Sequence, residues 1–118
     1  MPRPRRDPPT KLVTDDVVEG KGRAARAGDT VSVRYVGVSY STGRQFDASW
    51  DKGRKPFTFP LGVQRVIPGW DQGIPGMRVG GRRTLIIPPE LAYGAEGAPP
   101  DIAPSETLIF VIDLVRIS

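Results

Sequence analysis

The sequence contains no cysteine and no histidine. A chain without either cannot assemble a Ser-His-Asp triad, a cysteine nucleophile or a zinc site of the usual ligands. No G-x-x-x-x-G-K-[ST] phosphate loop occurs, and Gly20-Lys21-Gly22-Arg23 lacks the strand-to-helix spacing of a dinucleotide fingerprint, so it reads as a turn. Long apolar runs are also missing. Charge, Gly or Pro interrupts each one well short of the roughly 18–20 residues that a membrane helix needs, so no membrane span is expected. Residues 1–9 carry Arg3, Arg5 and Arg6, like the start of a secretory leader, but the apolar segment that should follow is absent and Asp15, Asp16 and Glu19 come instead. Together with the lack of cysteine this predicts a cytoplasmic protein, unless an upstream segment has been removed.

What is present suits one small domain. The 118 residues can bury a single core, and 38% hydrophobic with 25% charged residues is ordinary for a globular chain. The 14 Gly and 13 Pro point to many turns and short elements. A net charge of +4 permits weak attraction to nucleic acid or acidic partners. Residues 1–9 contribute three Arg and one Asp to it, so the remaining body carries only +2. Nucleic-acid binding is therefore disfavoured.

Pro2, Pro4, Pro8 and Pro9 interleaved with arginines neither donate backbone hydrogen bonds nor bury much surface, so residues 1–9 are expected to form an extended, mobile tail before a domain over 10–118. Residues 11–19 read as a first strand whose apolar content is Leu12, Val13, Val17 and Val18. Residues 30–41 alternate, with Val31, Val33 and Tyr35 on one face and Ser32 and Arg34 on the other, as in a half-buried strand. A short edge segment over 45–48, a charged loop over 50–55 and a strand over 57–61 follow. Residues 64–74 hold the one plausible helix, barely two turns long, since Pro68 suits a first turn and Pro75 stops the element. Strands over 82–87 and 108–117 complete the pattern; the second is apolar on both faces, as a central strand is. The architecture predicted is α+β, an antiparallel sheet packed on one short helix.

A set of motifs runs through these elements in one order: Tyr35 with Gly37, Gln45-Phe46-Asp47-Ala48-Ser49, Lys55-Pro56-Phe57-Thr58-Phe59, and Val66-Ile67-Pro68-Gly69-Trp70. It continues with Gly73, Gly76-Met77, Val79-Gly80, Pro88-Pro89-Glu90-Leu91-Ala92-Tyr93-Gly94 and Leu108-Ile109-Phe110. Collinear over about residues 18–117, the set resembles the FKBP family of peptidyl-prolyl isomerases, the macrolide-binding immunophilins. The resemblance implies a curved antiparallel half-barrel of about five strands wrapped around the short helix, with a ligand pocket between them. It places Trp70 on the pocket floor, Tyr35, Phe46, Phe57, Val66, Ile67 and Phe110 on the walls, Asp47 and Tyr93 at the rim, and Ile102 in a flap. It also implies proline-containing polypeptide clients, macrolide ligands, no cofactor or metal, and action as a monomer.

Rotation about an X-Pro amide requires only the loss of its partial double bond, a barrier of about 18–20 kcal/mol, so a pocket lacking His, Cys and metal is compatible with this activity. The implied catalytic group is Tyr35, Phe46, Asp47, Trp70 and Tyr93. Tyr93 is expected to donate to the carbonyl before the proline, Trp70 to pack on the ring, and Asp47 to orient Tyr35 with Lys52 or Arg54 as countercharge. Taken singly, Phe46, Phe59 and Phe110 would be core aromatics, and Phe59 is assigned to the core. Residues 94–104 form either a solvated connection or the family's flap, with Pro99-Pro100-Asp101 departing from the usual pattern. Two rival readings carry other tests. A non-catalytic binding module would leave the isomerisation rate uncatalysed, and binding of nucleic acid by the arginine tail would fall steeply with salt.

Overall fold

The computed structural model describes residues 8–49, 55–100 and 102–118. The arginines of the tail, Lys52, Arg54 and Asp101 therefore lie outside the described residues. Among the described residues six strands are present: β1 (Val13–Val18), β2 (Thr30–Ser39), β3 (Gln45–Ala48), β4 (Phe57–Pro60), β5 (Arg82–Ile87) and β6 (Leu108–Ile117). One helix, α1 (Pro68–Gly73), and a short 3-10 turn, Pro89–Leu91, accompany them. The sheet runs β1-β5-β6-β2-β3 with every pairing antiparallel, and β4 also pairs with β2.

The sixth strand changes the expected count without changing the width of the sheet. One edge of β2 is shared end to end: Thr30 to Val33 pair with β4, and Val36 to Val38 pair with β3. Register shifts at Asp16/Val18, Ser32/Val33 and Gly37/Val38 insert bulges that bend the ladder. The long strand β6 is central, as its pattern predicts, although only one face is deeply covered: Leu108, Phe110, Ile112 and Leu114 are buried while Val115 is exposed.

The helix is barely two turns long, as expected, and occupies the second half of the 64–74 segment. Pro68 occupies its first turn, and Gln64 has φ 66°, a left-handed conformation outside any right-handed helix. Two glycines let α1 lie close on the sheet. A Cβ at Gly69 would stand 2.4 Å from Ile87 Cγ2, and one at Gly73 would stand 2.9 Å from Leu85 Cδ2. Trp70 and Ile74 thereby enter the same buried cluster as Val31, Val33, Leu61, Leu85, Ile87 and Ile112.

Strand β1, found where expected, is exposed at every position, with Val13, Val17 and Val18 on the surface, because it is an edge strand joined to the sheet through β5. One expectation is corrected: Ser32, predicted to face solvent, is fully buried. The neighbouring β4 covers it, and its hydroxyl finds Thr58 Oγ1 at 2.8 Å and the Arg116 guanidinium at 3.4 Å. Among the described residues no helix is long and apolar enough to cross a membrane.

Candidate functional site

The end-to-end arrangement of β3 and β4 opens the edge of β2 at Tyr35. The Tyr35 N–H there donates to the buried Ser49 Oγ at 2.9 Å. The Tyr35 side chain turns inward and lies edge-on to Trp70, with ring centroids 5.0 Å apart. Its hydroxyl donates to Asp47 Oδ2 at 2.7 Å. Burial first, then the hydrogen bond to Asp47 and its charge, and then Tyr93, raise the Tyr35 pKa well above its ordinary 10.0. The phenol therefore stays protonated and keeps its donor.

Trp70 is the hub of the aromatic cluster. It contacts Phe110 edge-on at 5.2 Å, Phe59 at 5.5 Å and Phe57 at 6.2 Å, and Phe46 meets Phe110 edge-on at 5.6 Å. Such pairs contribute about 0.5–1.5 kcal/mol each beyond their buried area, so the rings hold one another in place. Trp70 is only 4% exposed, and its indole N–H has no acceptor among the described residues.

These rings enclose a cavity of about 440 Å³. Of the sequence-predicted site residues, Tyr35, Phe46, Asp47, Phe57, Val66, Ile67, Trp70, Tyr93 and Phe110 all line it. Tyr93, which follows the 3-10 turn, is 42% exposed there. Its backbone carbonyl accepts from the Gly97 N–H, and Gly94 N donates back to Pro89 O, so the segment is locally organised. Ile102 is the exception. Its backbone pairs with Ala98, but its side chain is 4% exposed within the core cluster and is not part of the cavity wall. Phe59 lies in the core, as assigned, stacked on Phe57 with centroids 5.2 Å apart.

The wall also includes Ser49, Lys55, Pro56 and Arg65, which motif matching does not assign. Lys55 and Pro56 stand beside Phe57 in the sequence, and Arg65 directly precedes Val66. Adjacency to a wall residue was the one signal that could have found them. Lys52 and Arg54, the countercharges expected for Asp47, lie outside the described residues; Tyr35 is a partner of Asp47 within them.

The chain is similar in sequence and fold to known proteins. The family model described as FKBP-type peptidyl-prolyl cis-trans isomerase matches residues 21–115. An FK506-binding protein of Streptomyces anulatus is 59% identical over 97% of this chain and 92% of its own length. A probable FK506-binding protein of Corynebacterium glutamicum is 51% identical over 91% of this chain and 87% of its own. The crystal structure of AtFKBP13 superposes with a TM-score of 0.85 at 43% identity, covering 94% of this chain and 96% of that one. A match over most of the chain, a relative this similar and a shared open sheet around one short helix place the protein in the family of FKBP-type peptidyl-prolyl cis-trans isomerases.

Proposed function

We propose that the aromatic cavity is where the isomerase acts, binding X-Pro segments of flexible or unfolded polypeptides and assisting their folding without a covalent step. The observation that supports this most is the convergence of nine side chains, from β2, β3, β4, α1, β6 and the loops beside them, on one cavity around Trp70. The proline ring packs on Trp70 between Phe46, Phe57 and Phe110. Tyr93 O–H donates to the carbonyl before the proline and anchors the peptide.

Rotation removes amide resonance, so the carbonyl loses partial negative charge and the prolyl nitrogen becomes pyramidal and more basic. A dry apolar wall penalises the polar, planar ground state more than the twisted one. Each ~1.4 kcal/mol of that difference speeds rotation about tenfold. Asp47 holds Tyr35, and through it the wall next to Trp70. Two of the relatives are called FK506-binding proteins; in this reading macrolides compete for the same cavity, and the protein acts as a cytoplasmic monomer.

A protease-free isomerisation assay on a short proline peptide tests the assignment. Trp70→Leu is expected to lower kcat/KM at least tenfold while a macrolide inhibits the unmodified protein. Undiminished activity in Trp70→Leu or Asp47→Asn would remove the cavity from the mechanism. An uncatalysed rate in the unmodified protein would instead indicate a binding module.

A further inference from the structure

Two cations at the cavity have no part in bond rotation. Lys55 and Arg65 line it, both are exposed, and among the described residues neither forms an ion pair. Two carboxylates near them, Asp47 in the wall and Asp71 on α1, accept other donors. Asp47 accepts the Tyr35 O–H at 2.7 Å, and Asp71 accepts Gly62 N–H at 2.7 Å and Gln64 N–H at 2.9 Å, one on each oxygen.

Those last two bonds fix the loop from which Arg65 projects. Gln64, with φ 66°, holds a backbone conformation that a non-glycine residue keeps only when its surroundings impose it. Arg65 follows directly, so its backbone is already ordered at the cavity wall before any ligand arrives. A planar guanidinium there suits two-point pairing with a carboxylate or phosphate, and Lys55 adds a point charge on the same wall.

We propose that Lys55 and Arg65 make the isomerase select proline segments bearing an anionic side chain, carboxylate or phosphoryl, within two residues of the proline. This rests on the cavity being the isomerase site. An exposed ion pair contributes little, so each cation is expected to raise kcat/KM about two- to fivefold. The gain appears in KM, because the pair forms equally with the planar and twisted amide.

The test uses peptides differing at one residue, with Glu, phosphoserine, Gln or Lys placed in turn at the two positions on either side of proline. At one position or more, Glu or phosphoserine is expected to exceed Gln and Lys to fall below it, with the spread shrinking in about 0.5 M salt. Preference for phosphoserine alone would identify a phosphoryl group as the source, and preference for both would include carboxylates. The paired change Lys55→Gln with Arg65→Gln should bring the anion-to-Gln ratio near one, and Lys55→Glu with Arg65→Glu should invert it. Each ratio is taken within one variant, so a general loss of activity does not mimic the effect. An anion-to-Gln ratio of one at every position in the unmodified protein, or a preference that survives both paired changes, overturns the selection while leaving the isomerase site standing. Failure to accelerate even the Gln peptides overturns both.

Discussion

Adding one methyl group at Gly37 should damage both stability and catalysis. Gly37 sits on β2 opposite Asp47 and Phe110, and a Cβ there would lie 2.7 Å from Phe46 Cζ and 2.7 Å from Phe110 Cε1. Carbon atoms pack comfortably at about 3.5–4.0 Å, so both ring edges must retreat by about 1 Å. Phe110 cannot move alone, because it is buried against Trp70 at 5.2 Å and Tyr35 at 6.2 Å. Overpacking of this kind costs about 1–3 kcal/mol. If Phe46 swings away instead, its edge-on contact with Phe110 is lost, about 0.5–1.5 kcal/mol, and one cavity wall opens. Gly37→Ala is therefore expected to lose about 1–3 kcal/mol by urea unfolding and about three- to tenfold in kcat/KM on a proline peptide. Gly43→Ala is the control. At φ 73° a side chain is strained, by about 1–2 kcal/mol, but nothing stands within 4 Å, so kcat/KM per folded molecule should hold. If Gly37→Ala stays within about 0.5 kcal/mol of the unmodified protein with unchanged kinetics, the account of tightly matched rings is wrong.

Two further expectations follow from single hydrogen bonds. Tyr35→Phe keeps the ring against Trp70 but removes the donor to Asp47, and should cost about 1–2 kcal/mol of stability with a measurable fall in kcat; unchanged unfolding midpoints would show that the bond contributes nothing. Asp16 accepts two bonds from Arg83, at 2.6 and 3.2 Å, and the bond to Arg83 first, with its charge adding to it, holds the Asp16 pKa below the ordinary 3.8 against the opposing effect of burial. A depressed folded pKa contributes stability that is present above the unfolded value and lost as pH falls through the folded one. The difference in thermal midpoint between the unmodified protein and Asp16→Asn should thus be full near pH 6 and shrink below about pH 4; a difference independent of pH would exclude that linkage.

The sheet and helix were readable because their signals are local. Alternation marks β2, Pro68 and Pro75 bracket α1, and the apolar residues on both faces of β6 fit the centre of the sheet. The wall aromatics were readable only as an ordered set of motifs, since no periodicity brings Phe46 beside Phe110. What escaped was set by tertiary neighbours. The exposure of Val17 depends on β1 being an edge, and the burial of Ser32 depends on β4 lying alongside with Thr58 as partner. Ile102 turned into the core where the motif places it on the flap, and Arg65 reached the cavity through a loop whose left-handed Gln64 carries no sequence mark.

The break in the edge of β2 has a consequence for how such a molecule can vary. A continuous ladder ties the length of each connection to strand register, so that an inserted residue reverses the faces of everything beyond it. Here β3 and β4 each find their own register on β2, and a single serine hydroxyl occupies the interval between them. The registers of β3 and β4 are thereby independent of each other. Residues can be gained, lost or exchanged between Ser49 and Lys55, two residues of the cavity wall, without a change of register in either strand. The range of clients can then drift or be redesigned while the hydrophobic core stays as it is.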